Sequence, residues 1–288
     1  MLNSFVGYDA MSEKRRPHAQ VFDYPWCIYC GGTTAATTAD HNPAKILFDG
    51  KLRPKGMEFP SCEPCNRGTK GTELIAALIS RAFPDSQARW TEELQAILQA
   101  VSNNYPYVLR ELRTPPAKAK LIARRLGMKD DVGFINLQGP SVSAHLKMFA
   151  AKFGYAFHYF ATKKAIPVGG GVVSVAYSNV KLLDGHAPDD FIANFGMPQT
   201  LQQGVQHVGD QFRYAVQAAS DTEMTTAFAS FRQSIAIATF SADDINKLMV
   251  NGEMPGTLVR PGELQIPVPP PEFVSIQMVF PPRDVPIV

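Results

Sequence analysis

The chain has 288 residues, above the ~100–200 typical of one domain, so two domains are the default expectation. With 45% apolar and 19% charged residues it reads as a globular protein with material for real cores, and a net charge of +2 excludes bulk attraction to a polyanion. No run approaches the ~20 apolar residues that span a bilayer, and the first residues lack a basic segment leading into a long apolar one, so we expect no membrane association, no secretion and a reducing, cytoplasmic setting.

In chain order, residues 1–22 read as a loose polar arm carrying Glu13-Lys14-Arg15-Arg16. Thr33, Thr34, Thr37 and Thr38 favour strand, with Asp40-His41 ending the first strand of a hairpin. Pro43, Pro54 and Pro60 then punctuate the segment, and Asp49-Gly50 signals a turn. Leu74, Leu78 and Ile79 recur at helical spacing, which predicts a helix from near Thr72 to before Pro84. Thr91 caps a second helix over Trp90–Ser102, with Leu94, Ile97, Leu98 and Val101 as its buried stripe.

Pro115-Pro116 mark a break, and a domain boundary is expected within residues 105–117. Lys118–Leu126 reads as a short basic helix. Ser141–Phe160 reads as a longer one, aromatic on its inner face through Phe149, Phe153 and Phe157. Gly169-Gly170-Gly171 opens a strand over Val172–Tyr177, and Asp189–Phe195 forms a short helix. Two strands follow, Gln211–Ala218 and Phe231–Phe240, the second patterned for a sheet buried on both faces. The Pro-rich tail after Pro261 should be extended, wrapped on a partner surface or mobile. The resulting division is an arm (1–22), a first module with flanking helices (23–110), an α+β domain (111–260) and the tail (261–288).

All four cysteines fall in the first module as Cys27-x-x-Cys30 and Cys62-x-x-Cys65. Two such knuckles present four thiolates to one Zn²⁺, and the 31 residues between them must carry structure of their own. A redox pair would need a reactive Cys-x-x-Cys after a strand of a βαβ unit, which the flanks do not supply. Asp40-His41 lies inside that insert and Asn66 directly follows the last cysteine. A carboxylate, an imidazole and an amide on a zinc clamp suit phosphodiester chemistry. Against this, a histidine can simply pack, and an asparagine after a knuckle can cap the turn. Arg110, Arg113, Lys118, Lys120, Arg124, Arg125 and Lys129 form a basic run that is either a solvated face or a phosphate-contact surface. Arg67 and Lys70 are the cations nearest Asn66 in sequence. His145, His158, His186 and His207 show no ligand spacing and are expected to be structural or exposed.

Over residues 24–80 the chain resembles the HNH endonuclease family, through Cys-Ile-Tyr-Cys-Gly (27–31), Thr-Ala-Asp-His-Asn-Pro (38–43), Leu47-Phe48, Arg53-Pro54, Phe-Pro-Ser-Cys-Glu-Pro-Cys-Asn (59–66) and Glu73. Met57-Glu58 stands where the middle asparagine of the general pattern would be. The resemblance implies a zinc-stabilised ββα-metal, treble-clef-like module followed by a mixed helix/strand domain, an α+β chain overall. It implies structural Zn²⁺ on Cys27, Cys30, Cys62 and Cys65. It further implies metal-dependent hydrolysis of DNA, with His41 as general base and Mg²⁺ or Mn²⁺ held by Asp40, Asn66 and Glu73. DNA would be the partner, met by Arg67, Lys70, Arg124 and Arg125. The second domain would contribute binding or assembly, as a homo-oligomer or with a protein partner. The alternative is a non-catalytic zinc module that binds nucleic acid or protein.

Overall fold

A computed structural model describes residues 23–82, 92–129, 133–178, 198–203, 206–219 and 223–265. The expected N-terminal arm, the Asp189–Phe195 helix, His186, the cap at Thr91 and the tail beyond residue 265 lie outside the described residues. The described chain is mixed α+β.

The first knuckle leads into strand β1 (Thr38–His41), which pairs antiparallel with β2 (Glu58–Ser61). Between them the insert makes short 3₁₀ turns at Lys45–Leu47 and Asp49–Lys51. Arg53 organises the return to β2: its guanidinium donates to the carbonyl oxygens of Pro43, Pro54, Gly56 and Met57 and pairs with Glu58 at 3.1 Å. One buried planar donor set thus satisfies carbonyls that no strand reaches. Helix α1 (Glu63–Gly68) starts at the second knuckle with Pro64 in its first turn, where the missing N–H costs nothing. Helix α2 (Lys70–Ser80) comes almost directly after it and buries Ile75, Ala76 and Ile79, close to the expected Thr72–Pro84 helix.

Helices α3 (Glu92–Asn104), α4 (Pro106–Leu112) and α5 (Pro116–Arg125) come next. The expected boundary at 105–117 therefore holds a helix whose Tyr107, Val108 and Leu112 are buried. The prolines there sit in the first turns of α4 and α5 and start helices where they read as breaks in the chain.

Helix α6 (Pro140–Thr162) is the centre of the molecule. Every residue from Phe149 to His158 is buried, because one side packs on the sheet and the other on α2 and α4. Its first amides, Ser141 and Val142, both donate to Glu111 Oε2 of α4 at 2.9 Å, a carboxylate where the helix dipole is positive. At Gly154 a Cβ would fall inside the Val172 side chain, so the missing side chain lets α6 lie directly on the sheet.

That sheet contains β3 (Gly171–Ser178), β6 (Phe212–Ala219), β7 (Met224–Phe231), β8 (Ile235–Ala242) and β9 (Thr257–Val259), in the order β6-β7-β8-β3-β9. A separate two-residue pair joins β4 (Gln202–Gln203) to β5 (Gln206–His207). The stretch expected as one strand, Phe231–Phe240, is divided. The chain reverses at Arg232–Ser234, where Arg232 takes a left-handed φ of 51° without any glycine or proline to announce it.

The apolar core does not divide with the sequence. One cluster runs from Cys27 and Phe59 through Ile75 and Val108 to Phe149, Phe157, Phe231 and Leu264. Ion pairs cross the same line, with Arg232 reaching Asp49 of the insert at 2.7 Å.

Candidate metal centre and the Lys152 network

Cys27, Cys30, Cys62 and Cys65 converge, with their sulfur atoms within 4.8 Å of one another and all four residues buried. The first knuckle is held by Cys27 N–H donating to Thr34 O at 2.8 Å and Gly32 N–H to Cys27 O at 3.1 Å, with Gly31 and Gly32 both at positive φ. The second knuckle is the first turn of α1, where Asn66 N–H bonds Cys62 O at 3.0 Å. The Cys27 thiol is drawn down to about 5, first by a hydrogen bond from the Cys65 side chain, against burial, and then by backbone groups of Cys62, Tyr29 and Cys30. Four converging buried sulfurs form a donor set that can hold a metal such as zinc.

Beside this clamp lies a second polar centre, and the side chain that organises it comes from far away in sequence. Lys152 of α6, with a side chain 1% exposed, places its Nζ 2.9 Å from Asp40 and in direct contact with Glu73. Tyr29, from the first knuckle, donates its hydroxyl to Asp40 Oδ2 at 2.5 Å, an oxygen that also lies 2.9 Å from Lys152 Nζ. Asn42, next along the chain, donates to the Lys152 carbonyl oxygen at 3.2 Å. Strand β1, helix α2 and helix α6 therefore meet at one ammonium. Burial works against the charge on Lys152, but Asp40 and Glu73 outweigh it and its pKa rises. Burial and the neighbouring Asp40 carboxylate push the Tyr29 phenol well up, so it stays a donor.

The residues singled out in the sequence fall into separate groups. Asp40 and Glu73 come together, but around Lys152. His41 is half-buried and leaves the strand on the face opposite Asp40, since successive strand residues alternate. It stands across from Glu58 in the register, and its pKa is lowered by desolvation first and then by the charges of Arg53 and Lys45. Asn66 donates to Thr38 Oγ1 at 3.1 Å and towards Ala39 O at 3.5 Å, bracing α1 against β1. The expected Mg²⁺ or Mn²⁺ set of Asp40, Asn66 and Glu73 thus has its carboxylates on a lysine and its amide on the strand.

Arg67 is exposed and pairs with Glu63 one turn earlier at 2.6 Å, and Lys70 is exposed at the start of α2. Arg124 and Arg125 are exposed on α5. His145 and His158 are buried structural side chains, bonded to Thr72 at 3.2 Å and Thr225 at 3.1 Å, as the lack of ligand spacing suggested. The side chain of His207 lies outside the described residues.

Sequence reading missed Lys152 and Tyr29. The signal for Lys152 was a single charge inside the otherwise uncharged run Phe149–Phe157, a position that requires a buried partner. No helix among the described residues is long and apolar enough to cross a membrane. Compared with protein-family models, curated proteins and solved structures, the chain matches none.

Proposed function

We propose that this protein is a zinc-clamped module of HNH type that binds nucleic acid and does not cut it. The zinc reading rests on the donor set: four sulfurs close the coordination shell, leaving no position for water or substrate, which is the arrangement of a structural ion. When bound, zinc would supply the cross-link that fixes both knuckles, and the hairpin-then-helix order around them supports the ββα reading.

The observation that carries the non-cutting reading is the Lys152 ammonium on both Asp40 and Glu73. A catalytic Mg²⁺ or Mn²⁺ does not fit those residues as they stand, because both carboxylates already pair with a buried ammonium and Asp40 is itself buried. Binding of nucleic acid is supported by the exposed cations Arg113, Lys118, Lys120, Arg124, Arg125 and Lys129, with no acid between Arg113 and Lys129. Lys70 adds an exposed cation near the clamp, whereas Arg67 is paired with Glu63.

Binding of a duplex oligonucleotide, followed by fluorescence anisotropy over a salt series, tests the reading. Exchanging Arg124 and Arg125 together for Gln should weaken binding and flatten the logarithmic salt slope by up to about two units. Unchanged affinity and slope would reduce the run to a solvated face and leave a protein partner as the ligand of the module.

A second reading, HNH-type hydrolysis with His41 as general base, is favoured by one observation. His41 is partly exposed, and its lowered pKa keeps the imidazole neutral near pH 7, the form that accepts a proton. Cleavage lost on His41→Ala with zinc retained would establish it over the first.

A further inference from the structure

The Asp40–Lys152–Glu73 network joins strand β1, helix α2 and helix α6 with one ammonium, and its chemistry is that of a metal bridge. Two carboxylates facing one point form the oxygen donor set of a hard divalent cation. Without a cation between them, the buried Asp40 and the partly buried Glu73 repel, which favours a proton on one of them. Lys152 supplies that cation from a side chain only 1% exposed, within the stretch Phe149–His158 that is buried throughout. Its main chain is pinned at the same place, where Asn42 bonds its carbonyl oxygen. Asp40 also accepts from the Tyr29 hydroxyl.

We propose that Lys152 is a built-in counter-ion that stands in place of a divalent cation between Asp40 and Glu73 and closes this centre to metal from solution. A latent divalent site then lies beneath it, made of the two carboxylates and the space the lysine side chain fills. Charge favours the exchange: with Lys152 the three groups sum to −1, whereas two carboxylates with one divalent ion sum to zero. Hard ions such as Ca²⁺ and Mn²⁺ suit this site and compete poorly for the neighbouring thiolates. The inference shares with the proposed function only the closed state of Asp40. Plasmid cleavage and oligonucleotide binding test that reading, and metal-dependent melting tests this one.

The experiment is thermal melting of the zinc-loaded full chain and its variants in chelator-treated buffer, with and without Ca²⁺ or Mn²⁺. Wild type should melt at the same temperature in both. Lys152→Ala should lose roughly 10 °C, because it leaves Asp40 and Glu73 without their cation, and regain roughly 5 °C at a hundredfold excess of ion over Kd. Adding Asp40→Asn and Glu73→Gln to Lys152→Ala should remove the metal response while recovering part of the loss. A Lys152→Ala protein that melts identically with and without either ion overturns the proposal. Should that variant fail to fold, Mn²⁺ titration of wild type by electron paramagnetic resonance decides: Mn²⁺ bound in a manner lost on Asp40→Asn contradicts a closed centre, and its absence upholds one.

Discussion

Cys62 carries the clearest single-residue consequence of the proposed shared ion. It is buried, its sulfur faces those of Cys27 and Cys65, and its carbonyl receives the first amide bond of α1. Native protein should therefore carry about one zinc per chain, measured by elemental analysis. Cys62→Ser should lose that metal and with it the near-ultraviolet signal of Tyr29, which lies in the first knuckle. Metal-free but fully folded protein would contradict the clamp. His145 and His158 act in the opposite sense, since each is buried neutral and burial lowers its pKa to about 4. Below the unfolded value near 6.5 the unfolded chain takes up protons that the folded chain refuses. Stability is thus complete above about pH 6.5 and falls as the pH drops towards 4, by on the order of 3 kcal/mol for each histidine. Urea melts at pH 7 and pH 5 check this, and replacing His158 by Gln should shrink the difference. Equal midpoints for wild type at the two values would contradict it.

Among the elements, α6 holds the most consequences. Its N-terminal amides depend on Glu111 of α4, a residue that reads in sequence only as the one acid in a basic run. Glu111→Ala should cost about 1 kcal/mol, the usual loss of a helix cap, and lower Tm by roughly 2–4 °C. An unchanged Tm would mean that water satisfies those amides equally well. Gly154→Ala should cost about 1–3 kcal/mol, because the new methyl group meets Val172 and the helix must lift from the sheet. The sequence made the helix itself legible, since Phe149, Phe153 and Phe157 repeat at helical spacing. It also carried β3, β6 and the basic helix α5. It did not carry β7, whose Thr and Ala residues form a weak apolar pattern, nor the reversal at Arg232, which uses none of the usual turn residues. The cysteine clamp was legible because ligand spacing is local. The Lys152 network was not, because its charge pairs across 112 residues and only the folded chain brings the two together.

For the whole molecule, the large core cluster shared by both halves of the described chain leads us to expect no separate stability for the cysteine-bearing segment. Phe59 packs edge-on against Tyr159 of α6, Tyr29 against Tyr155, and Phe48 of the insert against Phe212 of the sheet. A fragment of residues 23–110 should therefore lack a cooperative melting transition even with zinc, while the full chain melts in one step by calorimetry. A well-folded fragment would show that the modules are separable after all. The same packing places Lys152 against Asp40 and Glu73 of the first module, and on the reading proposed above a lysine stands where metal-dependent cleavage would need an ion. The direct test is incubation of purified, zinc-loaded protein with supercoiled plasmid across Mg²⁺ and Mn²⁺ concentrations, read by gel electrophoresis. The expected result is plasmid that is retarded but neither nicked nor linearised. Divalent-stimulated nicking that disappears in both His41→Ala and Asp40→Ala, with zinc retained, would contradict it.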